Sequence, residues 1–326
     1  MVRLLTKDDF SDIYFKFKQK GVNFLLGKLH FSGRSRTRNT FSYDGVTVAE
    51  WYVVPAVKQR WNRLITGDSD IIYEDFLLQQ IFIDRTGMSL LSLGSGGCNH
   101  ELKLASGSVF SEITCVDIAQ GQLDVAAEKA KSQDGSKMRF VCADARTFLK
   151  QQKAKFDVVL FNASLHHFDH VDDLIKNQIY PILFPGGYLI INEYVGPNRL
   201  QFPAVQLAAI NDALQLAPKQ FRTIYGTSVV KNRFCGFGLL RMLLADPSEC
   251  VDSAAILPAI HATFQTVVER PFGGNILMGA LKNIAHHFVS DDSETQSVLK
   301  AMSDAEDQYI AENPSDFMFG VYQKAR

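Results

Sequence analysis

The chain has 326 residues, room for about two domains at ~150 residues each. Lys plus Arg number 34 against 35 Asp plus Glu, a formal charge of −1 that removes the basic surplus of a general nucleic-acid binder. With 46% hydrophobic residues and 24 Phe, the composition is that of a protein with a substantial core and excludes intrinsic disorder.

In chain order, residues 1–85 read as a helical cap. Thr6 and Asp9 form a capping box, and Phe10, Ile13, Tyr14 and Phe17 follow the spacing of one helix face, interrupted at Gly21. A polar stretch carries Arg34, Arg36 and Arg38, which would face one way in an extended segment; a solvated loop or an anion clamp both fit it. A second helix is expected on Val54, Val57, Trp61 and Leu64, ending near Thr66-Gly67-Asp68.

From about residue 88 short apolar runs alternate with helix-length segments: SLLSL (89–93), EITCV (112–116), RFVCA (139–143), FDVVLF (156–161) and YLIIN (188–192). Continuous apolar character predicts strands covered on both faces, hence a parallel, doubly wound α/β sheet with ligands at the carboxyl ends of its strands. Beyond Asn192 the pattern turns helical to about residue 262, with a sixth strand at 263–272, helical segments at 275–289 and 295–312, and a terminal strand FMFGVYQ at 317–323. The domain reading is therefore a cap at 1–85 and an α/β domain at 86–326 with helical insertions at 196–262 and 274–313.

Strand one runs into Gly94-Ser95-Gly96-Gly97, a turn in which glycines permit close approach of a ligand and the following helix start offers unpaired N–H groups. A nicotinamide dinucleotide fingerprint would want glycine at position 99, which is Asn99, so that oxidoreductase reading is incomplete. Strand two ends at Asp117, 23 residues after Gly94, where an acid can accept hydrogen bonds from both ribose hydroxyls. Strand three ends at Asp144-Ala145, placed to meet an adenine amino group, and strand four in Asn162-Ala163-Ser164-Leu165-His166-His167. These strand ends point to a nucleoside-type ligand.

On LSLGSGG, VDIA (116–119), CADA (142–145) and FNASLHHFD followed by LFPGGYLIINEY, the chain resembles the class I S-adenosylmethionine-dependent methyltransferases over about residues 86–195. The resemblance implies a Rossmann-like sheet of seven strands with the last, FMFGVYQ, antiparallel. It implies S-adenosylmethionine as cofactor, with Gly94, Ser95 and Gly96 flanking the methionine part, Asp117 and the adjacent Ile118 at the ribose, Asp144 and Ala145 at adenine, and Asn162 and Ala163 completing the cofactor side. Ser92 stands where the family's acid is usual and Cys98 where its third glycine is usual; Glu101, one helical turn on, is the candidate to meet the cofactor's ammonium. The flanks at 51–68, 193–199 and 271–277 look like bacterial methyltransferases of surface-glycan and natural-product pathways, which favours a small or glycosidic acceptor.

The chain lacks the Asn/Asp-Pro-Pro-aromatic motif of exocyclic amine methylation and any Pro-Cys dipeptide, and Asn162 replaces the acid of magnesium-dependent enzymes. Neither a nucleic-acid partner nor a metal is expected. A histidine suits removal of a hydroxyl proton, so His166 and His167 are the candidate bases, with Glu193 as base or base-orienter. Trp51, Tyr194 and Arg199 are the acceptor-side candidates, with packing of the N-terminal helices as the plainer role for Trp51. The expected activity is O-methylation of a sugar or natural-product hydroxyl. N-methylation of a small amine, an NAD-dependent oxidoreductase and a non-catalytic nucleotide-binding protein are the alternatives.

Five odd, scattered cysteines, Cys98, Cys115, Cys142, Cys235 and Cys250, indicate neither a disulfide framework nor a thiolate zinc site. No apolar run reaches the ~18 to 20 residues that cross a bilayer, and the start MVRLLTKDDF turns acidic before a signal-peptide core can form. A cytoplasmic chain with no membrane partner is expected, and a homodimer is left open.

Overall fold

The computed structural model describes residues 2–9, 50–132 and 135–326. The helix read over Phe10, Ile13, Tyr14 and Phe17, the break at Gly21 and the Arg34, Arg36 and Arg38 stretch lie outside the described residues. The chain divides into two compact units. One comprises Met1–Asp70, Gly196–Glu249 and Pro271–Phe317, the other Ile71–Val195, Cys250–Arg270 and Met318–Arg326.

The second unit is organised by a seven-stranded sheet. Its strands are β1 (Met88–Leu93), β2 (Phe110–Asp117), β3 (Met138–Cys142), β4 (Phe156–Asn162), β5 (Leu183–Tyr194), β6 (Gln265–Gly273) and β7 (Phe317–Gln323). Their order is β3-β2-β1-β4-β5-β7-β6. The β1–β2, β1–β4, β2–β3 and β4–β5 pairs are parallel, and the last strands are antiparallel. This is the Rossmann-like α/β sheet expected from the apolar runs.

Leu90, Leu91 and Leu93 of β1, Ile113, Cys115 and Val116 of β2, Val158 to Phe161 of β4 and Leu189 to Ile191 of β5 are all buried. Helices cover both faces of these inner strands, so β-branched and aliphatic side chains fill both directions of the pleat. β3 departs from the expectation of full burial: it is an edge strand, with partners on one side only, Phe140 and Val141 are half-buried and Arg139 and Cys142 are exposed. The strand order reverses between β1 and β4, and ligands of such sheets collect at the carboxyl ends of the strands at that point.

In the first unit, the helix read on Val54, Val57, Trp61 and Leu64 spans Pro55–Thr66. Pro55 occupies its first turn, where a missing N–H costs nothing, and Gly67 closes it with φ +90°. Its buried Arg60 donates to Glu306 Oε1 at 2.9 Å and also pairs with Asp307, both on the Ser293–Glu312 helix. Glu306 Oε2 accepts the Ile276 and Leu277 N–H groups, at 2.8 and 2.9 Å, that begin the Leu277–Leu281 helix. One buried carboxylate thus serves an arginine and a helix N-terminus.

The Thr6–Asp9 capping box is formed: Thr6 N donates to Asp9 Oδ2 at 2.7 Å and Asp9 N to Thr6 Oγ1 at 3.3 Å. The helical reading between Asn192 and residue 262 holds only in pieces, as Ala204–Leu216, Leu239–Ala245 and Ile256–His261. Between Pro218 and Gly238 the chain runs through the Lys219–Arg222 turn and then an irregular stretch with one bridge, Thr223 to Val230. Pro218, Gly226, Gly236 and Gly238 break any helix there, and the Lys231 ammonium replaces helical bonding by donating to the carbonyls of Gly279, Ala280 and Lys282. Among the described residues no helix is long and apolar enough to cross a membrane.

Candidate active site

The polar residues at the carboxyl ends of β1, β2, β4 and β5 are tied together by short hydrogen bonds. Gly94 takes φ +71°, and its N–H, with that of Ser95, donates to Val116 O at 2.8 and 3.2 Å. A Cβ on Gly94 would stand 2.6 Å from the Ser164 Cβ, and Ser164 Oγ donates to Leu93 O at 2.7 Å. The turn after β1 therefore packs directly on the end of β4, which only glycine permits at that backbone angle. Gly96 has φ +52°, as does Cys98, the residue at the usual third glycine. Cys98 accepts the left-handed conformation as the cap of the Asn99–Ala105 helix.

Asp117 closes this turn from β2: Oδ2 accepts the Gly96 N–H and Oδ1 the Ala119 N–H, each at 2.8 Å. Two backbone donors fix the carboxylate and leave it further lone pairs. Ile118, next to it, has its carbonyl 3.7 Å from the Cys142 thiol. Asp144 caps the Ala145–Gln151 helix, Oδ1 accepting from Thr147 N and Oγ1 at 2.9 Å each, so Ala145 opens that helix beside β3. Asn162 Oδ1 accepts from Tyr73 OH at 3.0 Å and Asn192 Nδ2 at 2.9 Å, and Ala163, at φ +50°, donates its N–H to Asn192 O.

Glu193, 1% exposed, is the hub of the β4–β5 end. Its Oε1 accepts the Ser164 and Leu165 N–H groups at 2.5 and 2.6 Å, and its Oε2 lies 2.7 Å from His166 Nδ1. His166 is 9% exposed, and the His167 ring stacks obliquely on it with centroids 4.3 Å apart. The structure thus joins His166 to Glu193, while His167 sits more openly beside them. Tyr194, buried at the end of β5, has its ring 6.5 Å from that of His166.

Ser92 and Glu101 are bonded to each other, Oγ to Oε1 at 2.6 Å, and both are 1% exposed. Among the described residues, Glu101 Oε2 and Ser95 Oγ are buried without a hydrogen-bond partner. An unanswered carboxylate oxygen and an unanswered hydroxyl at one glycine turn are the signature of a site built for a polar ligand. They fit a group that brings a cation and further polar atoms, as the aminoacyl end of S-adenosylmethionine does, while Asp117 suits its ribose.

Trp51 and Arg199 belong to the first unit. Trp51 packs edge-on against Trp61 at 4.7 Å and tilted against Phe317 at 5.5 Å. Arg199, at φ +56°, donates to the carbonyls of Pro247 and Glu249 at 2.6 and 3.0 Å. The residues that the sequence reading missed are Tyr73, Glu74, His100 and Asn192. Asn192 was accessible as the partner of Asn162 in the β4–β5 register, whereas Tyr73 and Glu74 precede β1 and carry no motif.

The family described as "Methyltransferase domain" matches residues 91–191. Demethylmenaquinone methyltransferase of Leptospira interrogans is 28% identical over 138 residues, 42% of this chain and 53% of that protein. The chain thus spans about half the length of this curated relative. A hybrid PKS-NRPS synthetase of Fusarium is 30% identical over 119 residues, 35% of this chain and 3% of that protein. Among solved structures, phosphoethanolamine N-methyltransferase 2 of Haemonchus contortus with S-adenosyl-L-methionine superposes with a TM-score of 0.48 at 15% identity, over 89% of this chain and 60% of that one. The sheet order and the polar strand ends accord with the family match, which places a methyltransferase domain over residues 91–191 of the chain.

Proposed function

We propose that this protein transfers a methyl group from S-adenosylmethionine to a hydroxyl of a small or glycosidic acceptor, a sugar or a natural product. The observation that carries the reading is the buried Glu193–His166 pair at the same end of the sheet as the glycine turn and Asp117. Gly94, Ser95, Gly96 and Glu101 would hold the methionine part, Asp117 with Ile118 the ribose, Asp144 with Ala145 the adenine, and Asn162 with Ala163 the remaining side. When bound, the cofactor supplies an electrophilic methyl group on a sulfonium.

The protein's task is then to align the acceptor, exclude water and take up its proton. Glu193 holds the His166 ring through Nδ1, and the imidazole is the group assigned to take up the hydroxyl proton. Glu193 fixes the ring and faces the positive charge it gains, while Ser164 and Leu165 hold Glu193 in place. Such general-base assistance is worth about 10² to 10⁴ in rate. His167 and Tyr194 are proposed as neighbours of the acceptor.

A small-molecule acceptor rather than nucleic acid is supported by the near-zero charge and by the relatives' names, demethylmenaquinone methyltransferase and hybrid PKS-NRPS synthetase. Five free cysteines support a cytoplasmic setting. Calorimetric titration is expected to show binding of S-adenosylhomocysteine and none of NAD. Labelled S-adenosylmethionine offered with glycoside, phenol and amine acceptors should then give methyl ethers. Binding of NAD alone, or products confined to amines, would overturn the proposal.

A further inference from the structure

Glu101 sits one turn into the helix that the glycine turn leads into, buried, with Oε1 held by the Ser92 hydroxyl and Oε2 unanswered. The titratable groups around it come from three elements. His100 lies on its own helix, Glu74 and Tyr73 on the Tyr73–Phe76 helix, and the free thiol of Cys115 on β2. Glu74 is itself 1% exposed, with Oε1 at 2.6 Å from His100 Nδ1 and 3.9 Å from Lys103 Nζ. Tyr73 stacks on the His100 ring at 5.5 Å and reaches Asn162 with its hydroxyl.

Of these two buried carboxyls Glu74 takes the imidazole and the lysine, and the oxygen left without a donor among the described residues belongs to Glu101. An ionised carboxylate oxygen in that position is costly, and a proton or an incoming cation removes the cost. Burial pushes the Glu101 carboxyl above the usual range; the Ser92 hydroxyl and His100 oppose this and Glu74 adds to it. Ser95 Oγ, the second unanswered atom, belongs to the turn that precedes the same helix.

Resting on the methyltransferase reading, we propose that the ammonium of the cofactor's aminoacyl end binds at Glu101 in exchange for a proton, so that cofactor uptake releases one proton to solvent. The Glu101 O–H bond breaks, the proton passes to water, and the carboxylate formed pairs with the ammonium. Charge is conserved in the pocket and no co-reactant is needed. Tyr73, Glu74 and His100 act as positioning residues that set how readily Glu101 gives up its proton.

The test is titration calorimetry of the full chain with S-adenosylhomocysteine at pH 6.0 and 7.0, below the ~7.7 to 8.0 of an α-amino group, in two buffers of different ionisation enthalpy. Protons should be released on binding, at most one per ligand, and affinity should rise with pH by at most about tenfold per unit over the range in which Glu101 titrates. 5′-Methylthioadenosine, which lacks the aminoacyl end, should bind with no proton release. Glu101→Gln should abolish the release and weaken S-adenosylhomocysteine by about tenfold or more, with unchanged affinity for methylthioadenosine. Proton-free, pH-independent binding by the wild-type chain, or release that persists in Glu101→Gln, would overturn the inference while the methyltransferase reading stands. Failure to bind either ligand would remove both.

Discussion

Glu193 and His166 form a buried pair, Oε2 to Nδ1 at 2.7 Å, in which the other carboxylate oxygen is already committed to the backbone N–H groups of Ser164 and Leu165. The same backbone that turns the chain after β4 therefore aims the imidazole. Replacing Glu193 by Gln keeps an acceptor for the two N–H groups but turns an amide donor toward Nδ1, forcing the ring proton onto Nε2. Glu193→Gln and His166→Gln should each lower kcat by about 10² or more with S-adenosylhomocysteine affinity nearly intact, because base assistance is felt in the transition state. His167→Gln should change kcat much less. Steady-state kinetics on the three variants decides this, and a His167→Gln loss larger than that of His166→Gln would reassign the base.

Gly94 faces a steric limit of a different kind. A methyl group there meets the Ser164 Cβ at 2.6 Å on a backbone with φ +71°. Gly94→Ala should cost about 1 to 2 kcal/mol from the left-handed angle alone, and more from the clash, with loss of cofactor binding. Adding Ser164→Gly removes the clash but leaves the angle, so the double variant should regain part of the thermal stability. A double variant no more stable than Gly94→Ala would show that the contact with Ser164 does not limit the turn.

Asp117 combines a proposed ribose contact with an observed structural one. Its two oxygens hold Gly96 N and Ala119 N, so Asp117→Ala loosens the glycine turn as well as deleting a charge-assisted acceptor worth roughly 1.5 to 3 kcal/mol. S-adenosylhomocysteine affinity should fall by about tenfold or more in calorimetry. Asp117→Asn leaves one carbonyl acceptor and should fall between the wild type and Asp117→Ala. Unchanged affinity in a folded Asp117→Ala protein would remove the ribose assignment.

The inner strands were the most legible as apolar runs, because burial on both faces leaves a continuous signature that needs no partner to read, whereas β3 and β6 are largely exposed. The polar ends of those runs, Asp117, Asn162 and Glu193, were legible for the same reason: a charge that ends an apolar strand must meet a ligand or a hydrogen bond. The bond between His166 and Glu193 spans 27 residues of sequence and was only a pairing of candidates until β4 and β5 lay side by side. Tyr73 and Glu74 escaped because their partners, Asn162 and His100, are set by the register of the folded sheet and not by local pattern. The stretch after Pro218 was misread as helical because its apolar residues suit a helix, while the buried Lys231, whose ammonium fastens it to three carbonyls, left no trace in the spacing.

A last prediction concerns stability in the first unit. Asp316 is 3% exposed, its Oδ2 accepts from Gln206 Nε2 at 2.6 Å, and its carboxyl is pushed up to about 7, chiefly by burial and further by Glu306, with the Gln206 bond opposing. Below about pH 4 both the folded and unfolded chains keep this proton, and the group is neutral in its effect. Between about pH 4 and 7 the unfolded chain ionises while the folded one does not, so stability falls as pH rises, by at most about 4 kcal/mol in total, and the loss is complete above about 7. Asp316→Asn keeps an oxygen for Gln206 and removes the titration. Its Tm should exceed that of the wild type by several degrees at pH 8, while the two proteins should unfold within about a degree of each other at pH 4. Equal differences at both pH values would show that the carboxyl is ionised and satisfied throughout, with Gln206 outweighing burial.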